Sequence, residues 1–472
     1  MIRRATIGVT SPTRWRRSTH VWVGVVVLLL VAAVVAVGAV ATSNRSSATE
    51  PLAVTPQPAL VTAKPGVAPL ADSAPVPTAA GLSATLAPLV ANPDLGALTG
   101  RVTDAVTGKE LWARGAGVPM QPASTNKVLT TAAALYTLDR DARLTTTVIA
   151  PDQSASPGLV VLKGGGDPTL SAAAKGVDTW YRGAARISDL ADQVRQSGVV
   201  PKAVQVDASA FSGPTLAPGW DPVDIDGGDI APMEAVMLDG GRTQPVSVDS
   251  ARSRTPALDA GRALAVALGV NPATVTVRST PVTGERIAGV QSPPLIERLR
   301  QMMSESDNVM AESIGREVAA SVGKPQSFDG GVAGVLGQLS KAGVDTGGAT
   351  LVDSSGLSVD DRLTAETLDG VVNAAAGSAN PQLRPLVDLL PIAGGSGTLS
   401  DRFLDTDAGR AAIGLLRAKT GSLTGTNALA GFVTDEGGRV LTFSLISNDA
   451  GPTGRTAIDA VAAALRSCGC GS

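Results

Sequence analysis

A serine followed three positions later by a lysine can do nucleophilic chemistry without histidine. Positions i and i+3 share a helical face, so the amine can reach the hydroxyl and take its proton. The chain has nine lysines, and two of them carry serine at i−3. Ser321-Val322-Gly323-Lys324 contains glycine and runs into Pro325, so it reads as an ordinary helix end. Ser124-Thr125-Asn126-Lys127 instead opens an Ala-rich apolar segment, Val128–Leu138, that lacks Gly and Pro and reads as a buried helix. A helix start also sets backbone N–H groups beside the hydroxyl, which suits an oxyanion hole. Taken alone, the tetrad reads more simply as a capping serine with a solvated lysine.

Two further elements change that balance. Ser306-Asp307-Asn308 falls in a polar break, Ser304–Asp307, between two helical patterns, Pro293–Met303 and Asn308–Ala320. Lys419-Thr420-Gly421 falls in a strand, Arg417–Gly421, with Gly where a ligand backbone could approach closely. Ser-x-Asn recurs in Ser124-Thr125-Asn126 and in Ser378-Ala379-Asn380, the latter a loop after a helix, so that element is weak by itself. The ordered set of three is far rarer by chance than any member.

Composition removes the competing chemistries. The chain has 472 residues and one histidine, His20, which abuts an apolar run near the N-terminus. That excludes Ser-His-Asp triads, Cys-His pairs and His-ligated metal sites from the rest of the chain. Cys468 and Cys470 are the only cysteines, so there is neither a disulfide framework nor a four-cysteine zinc site. Aromatic residues make up 3% and the net charge is −3, which argues against nucleic-acid binding. With 44% hydrophobic residues, a sizeable core of Ala, Val, Leu and Ile is available.

The elements that must position these groups are legible in outline. Residues 82–90 read as a short helix. Ala97–Asp104 and Glu110–Arg114 read as a hairpin. Residues 145–285 alternate short strands with turns, plus helices at Ile187–Gln196 and Ala257–Leu268. Strands follow at Ala428–Thr434 and Val440–Ser447, joined by Asp435-Glu436-Gly437-Gly438, and a helix, Arg455–Leu465, comes last. The expectation is an α+β body whose antiparallel sheet joins N- and C-terminal strands.

Ahead of that body, residues 1–20 form a basic segment that stays in the cytoplasm by the positive-inside rule. Residues 21–41 are an apolar run of ~30 Å helical length, enough for one hydrocarbon core. Ala39-Val40-Ala41 suits signal cleavage and the length of the run suits a retained anchor, so both readings stand. A Pro/Ala-rich linker, 42–80, follows. The body is thus expected outside the cytoplasm, on the periplasmic or cell-wall side, either anchored in the membrane or released.

The three motifs are those of penicillin-binding proteins and serine β-lactamases. Further stretches narrow the resemblance: Gly166-Asp167-Pro168-Thr169-Leu170, Phe211-Ser212-Gly213 with Pro218-Gly219-Trp220, Asp353-Ser354-Ser355-Gly356-Leu357-Ser358, Leu390-Pro391-Ile392-Ala393-Gly394 and Lys419-Thr420-Gly421-Ser422-Leu423. Over residues 82–465 the chain resembles the D-alanyl-D-alanine carboxypeptidase/endopeptidase family of low-molecular-mass penicillin-binding proteins (DacB type). The resemblance implies a penicillin-recognising catalytic domain, 81–145 and 286–466, interrupted by an inserted mixed domain, 146–285, with a short tail, 467–472. It implies Ser124 as nucleophile, Lys127 as base and Ser306 as proton relay. Asn308 would hold the substrate amide; Lys419, Thr420, Gly421 and Ser422 would bind the substrate, its carboxylate above all. Backbone N–H groups of Ser124 and Ser422 would form the oxyanion hole. The partners implied are peptidoglycan peptides ending in D-Ala-D-Ala, D-Ala cross-links and β-lactams, with no metal or organic cofactor. Asp167, Trp220 and Asp353 read as structural. The alternatives are a β-lactamase, disfavoured because no Glu lies between Glu317 and Glu366, and a non-catalytic wall-binding or sensor module, disfavoured by three intact motifs.

Overall fold

The computed structural model describes residues 73–468. The basic segment, the apolar run, the linker up to residue 72 and the end of the tail lie outside the described residues. Among the described residues, no helix is long and apolar enough to cross a membrane.

The strands are β1 (Ala97–Asp104), β2 (Glu110–Arg114), β3 (Thr145–Ala150), β4 (Leu159–Lys163), β5 (Ala203–Asp207), β6 (Thr276–Arg278), β7 (Glu285–Gln291), β8 (Leu416–Leu423), β9 (Thr426–Thr434) and β10 (Val440–Asn448). The longer helices are α1 (Ala79–Val90), α2 (Lys127–Thr137), α3 (Ile187–Gln196), α4 (Pro256–Leu268), α5 (Leu295–Glu305), α6 (Asn308–Ser321), α7 (Phe328–Lys341), α8 (Ala365–Ala376) and α9 (Gly454–Ser467).

The first sheet is antiparallel, in the order β2-β1-β10-β9-β8. Period-2 alternation along its strands separates two apolar faces. Leu441, Phe443 and Leu445 of β10 and Leu429 and Val433 of β9 pack with Leu82 and Leu86 of α1 and Ile458 and Val461 of α9. Ala428, Ala430 and Ile446 share the other core with Leu129 and Ala132 of α2 and Val372 of α8. The expected joining of N- and C-terminal strands is present: Gly100 of β1 stands opposite Leu445 of β10.

The second sheet runs β6-β5-β4-β3-β7 and is mixed. β4–β5 and β5–β6 pair in parallel, whereas β3 pairs antiparallel with both β4 and β7. Its core sets Val148, Val160, Leu162, Val204 and Val206 against Leu190 and Val194 of α3 and Leu264 of α4. One further long helix, α7, was not part of the sequence-based outline. A separate apolar seam joins Trp220, Ile225, Ile230 and Met233 to Val309 of α6 and Phe328 of α7. Trp220 and Phe328 meet edge to face, 5.2 Å between ring centres.

Candidate active site

Ser124 sits in a 3₁₀ turn, Ala123–Asn126, that leads directly into α2. The turn is forced tight: Ala123 adopts φ +48° although it is not glycine. Two glycines from other elements press against it. A Cβ on Gly421 of β8 would lie 2.6 Å from Pro122 O, and one on Gly356 would lie 2.0 Å from Ala123 O. The side of Gly421 where a Cβ would stand is occupied by the protein's own turn.

Lys127 is the first residue of α2 and is fully buried. Its Nζ donates to Ser124 Oγ at 2.9 Å, to Asn308 Oδ1 at 2.6 Å and to Ser355 O at 2.8 Å. One acceptor is thus the hydroxyl and two are fixed oxygens that hold the amine in place. Burial lowers the Lys127 pKa to about 8, against the pull of the Asp353, Asp307, Glu312 and Asp229 carboxylates. A buried amine losing its proton near neutrality is what a base for serine requires.

The Ser306-Asp307-Asn308 element makes the corner between α5 and α6. Ser306 ends α5 in the left-handed region, φ +57°. Asp307 caps α6, accepting from Met310 N at 3.0 Å and from the Tyr181 hydroxyl at 2.7 Å. This corner turns Ser306 and Asn308 toward the same cavity. Asn308 Nδ2 donates to Asp229 O at 3.1 Å, so its amide is held at both ends.

Lys419 lies on β8, fully buried. Its Nζ donates to Ser306 Oγ at 2.9 Å and to Thr420 O at 2.8 Å. Burial, with the charges of Lys127 and Arg402, holds its pKa well below the ordinary lysine value. The three motifs thus converge as two lysine–serine pairs: Lys127 with Ser124, and Lys419 with Ser306. Between them opens a cavity of about 390 Å³ lined by Ser124, Ser306, Asn308, Thr420 and Ser422. Asp229, Glu305, Leu357, Thr398, Arg402 and Arg455 complete its walls.

Two other matches to the short patterns stay apart from this centre. Ser321 closes α6, its hydroxyl donating to Val318 O, and Lys324 is exposed. Ser378 lies in an exposed segment after α8. Sequence reasoning did not single out Ser355, whose carbonyl accepts from Lys127, nor Asp229, Thr398 and Arg402. The first lies inside the Asp353-Ser354-Ser355-Gly356 stretch; the others carry no sequence signal of their own.

Behind the site, Asp353 organises the loop that presents Ser355. Its carboxylate accepts from the backbone N–H groups of Ser355 at 2.9 Å, Gly356 at 2.5 Å and Ser358 at 2.8 Å. The Trp220 indole donates to the same carboxylate. Glu312 accepts from Ser354 N at 2.8 Å and pairs with Arg316.

Comparison with known proteins gives the family. The model of the D-Ala-D-Ala carboxypeptidase 3 (S13) family matches residues 82–251 and 245–465. The chain belongs to that family. It is 72% identical to carboxypeptidase DacB of Mycolicibacterium smegmatis over 98% of this chain and 100% of the relative. It is 62% identical to carboxypeptidase Rv3627c of Mycobacterium tuberculosis over 98% and 99% of the two chains. A second model, of the N-terminal domain of Rv3627c-like carboxypeptidases, matches residues 10–69. In three dimensions the chain resembles penicillin binding protein 4 (dacB) from Haemophilus influenzae, with TM-score 0.65, 23% identity and coverage of 81% and 97%. The fold is therefore the α+β fold of penicillin-recognising enzymes, and this S13 member is a serine-type D,D-carboxypeptidase.

Proposed function

We propose that Ser124 is the nucleophile of this carboxypeptidase and Lys127 its base, acting on D-Ala-D-Ala peptides of bacterial cell-wall peptidoglycan. The observation that carries the assignment is the 2.9 Å contact between Lys127 Nζ and Ser124 Oγ, with the amine fully buried. Neutral Lys127 donates two protons, to Asn308 Oδ1 and Ser355 O, and keeps its lone pair for the Ser124 hydroxyl proton. Ser124 Oγ then attacks the carbonyl of the penultimate D-Ala, and the backbone N–H groups of Ser124 and Ser422 receive the oxyanion. Ser306, held by Lys419, passes a proton to the departing D-Ala amine. Water attacks the acyl-serine ester and releases the shortened peptide. Asn308 holds the substrate amide, while Lys419, Thr420 and Ser422 receive the carboxylate, with Gly421 keeping β8 close to the turn. D-Ala cross-links present the same bond and are accepted by the same steps. A β-lactam acylates Ser124 in place of the peptide.

The domain reading is part of the same proposal: a catalytic domain of 81–145 and 286–466 carries the three motifs, and 146–285 is inserted between the first two. So is location. The basic segment and the apolar run support a body outside the cytoplasmic membrane, anchored there or released by cleavage.

Labelling with a fluorescent penicillin tests the nucleophile. Wild type is expected to label covalently and Ser124→Ala to lose the label entirely; unchanged labelling of the variant refutes the assignment. A reporter fused after residue 80 tests location. It is expected to work only when exported, and activity of a cytoplasm-only reporter at that position sinks the topology. N-terminal sequencing that begins at Thr42 selects cleavage over anchoring.

A further inference from the structure

Two further cavities lead away from the catalytic one. The nearer, about 150 Å³, shares Asp229, Glu305, Ser306 and Asn308 with it. The farther, about 350 Å³, shares Trp180, Glu305 and Asp307 with the nearer. Among the described residues, none from β8 lines either of them. They therefore extend from the side where Asn308 holds the substrate amide, away from the strand that receives the carboxylate. One wall of the farther cavity runs along α5 from Glu297 to Glu305, and Ser306 follows directly. At ~1.5 Å per residue, the helix rises about 13 Å from Glu297 to Ser306.

The farther cavity is polar without a dominant charge. Arg300 lies 3.6 Å from Glu297. Asp307 is already engaged by the Tyr181 hydroxyl and Met310 N. Gln301 Oε1 is buried with no hydrogen-bond partner among the described residues. Trp180 is half-buried and lines both cavities, whereas Arg242, stacked over its ring at 3.6 Å, lines only the nearer. The indole thus stands as a partition, braced by the guanidinium on one side and bordering the farther cavity on the other.

An aromatic plate beside neutral and mutually compensated polar groups suits a ligand with an apolar face and a rim of hydroxyl and amide groups, rather than an ion. A pyranose ring with an N-acetyl group has that character. A stem of about four residues ahead of the scissile bond spans about 13 Å when extended, which matches the reach of α5. We infer that this cavity is a glycan subsite: Trp180 and Gln301 seat an N-acetylated sugar of the peptidoglycan strand that carries the stem peptide undergoing cleavage. This rests on the function proposed above and adds to it a preference for peptides still attached to glycan.

The test compares kcat/KM for a free pentapeptide ending in D-Ala-D-Ala with that for the same pentapeptide on N-acetylmuramic acid, in the full chain. Wild type is expected to prefer the sugar-bearing peptide about tenfold, mostly through KM, the worth of one aromatic stacking contact. Trp180→Ala is expected to bring the ratio close to one while KM for the free peptide stays unchanged. Because the readout is a ratio within one protein sample, loss of folded enzyme cancels. An unchanged ratio in Trp180→Ala overturns the inference. If Trp180→Ala does not fold, Gln301→Leu replaces it: it keeps the side-chain volume and removes the amide, so the preference is again expected to fall, and an unchanged preference overturns the inference. A pentapeptide carrying an oligo(ethylene glycol) in place of the sugar is expected to gain nothing; a gain equal to that of the sugar also overturns it. Cleavage of neither peptide by wild type counts against the proposed function itself, whereas cleavage of both at equal kcat/KM counts against the glycan subsite alone.

Discussion

The Trp220 indole N–H donates to Asp353 Oδ2 at 2.8 Å, two residues from the carbonyl that fixes Lys127. Trp220 belongs to the seam with Val309 and Phe328, and Asp353 to the loop whose backbone carbonyl accepts from Asn126 Nδ2. Together they hold the backbone that holds the base. Asp353→Asn turns one of the two accepting oxygens into an NH2 donor, so two of the four N–H donors lose their acceptor. Acylation by a β-lactam is expected to slow about 10- to 100-fold through displacement of Ser355 O. Trp220→Phe keeps the ring against Phe328 and deletes one donor, so a stability loss of about 1–3 kcal/mol with a smaller rate effect is expected. Stopped-flow acylation and thermal melts check both. A melt that falls in Asp353→Asn with acylation unchanged would show that the loop does not act through Lys127.

The Lys127 pKa of about 8 predicts a rate profile. Below that value the amine is protonated and cannot take the Ser124 proton. Acylation rate is expected to rise about tenfold per pH unit up to pH 8 and then level off. Lys127→Ala should lose β-lactam acylation and peptide cleavage together at every pH. A flat profile between pH 6 and 8 in wild type, or normal acylation by Lys127→Ala, would place the base elsewhere.

Glu312 predicts a stability profile. Burial, and then the neighbouring Asp353, push its pKa from 4.5 to about 7. The folded state therefore binds this proton more tightly than the unfolded chain does. The stabilising contribution is complete below about pH 4.5 and is lost as pH rises through about 7. Across that window the loss is about 3 kcal/mol at most. Glu312→Gln keeps an oxygen for Ser354 N and removes the titration. Denaturant melts at pH 4.5 and 7.5 are expected to show a smaller decline in the variant than in wild type; equal declines would remove Glu312 as the cause.

The site was legible in sequence because its chemistry is carried by three short patterns, each on an element with a strong local signal. The Ala-rich α2 is free of Gly and Pro, β9 and β10 flank an Asp-Glu-Gly-Gly turn, and the break at Ser306 is polar between two helices. What escaped depends on distant packing. Helix α7 carries Gly330, Gly331, Gly334 and Gly337, which by propensity argue against a helix. It forms because it lies against α6: a Cβ on Gly334 would sit 3.3 Å from Ala319, and Gly331 faces Gly315. Arg402 escaped for a related reason. Its orientation is set by Asp459, 57 positions away, and nothing near it in sequence marks it as part of a cavity.

The central position of β10 in its sheet makes the enzyme late to mature. β1 emerges early in synthesis, yet its neighbour on the sheet's inner side is β10, and β10 also stands between β1 and β9. A nascent chain that has not passed Asn448 can form hairpins but cannot join them into one sheet, and contacts this distant in sequence close slowly. Until then Lys419 has no fixed strand from which to reach Ser306, and Ser124 has no finished cavity. The nucleophile is carried inert through most of translation, and the chain acquires its reactivity only when its last strand slots between its first and its next-to-last.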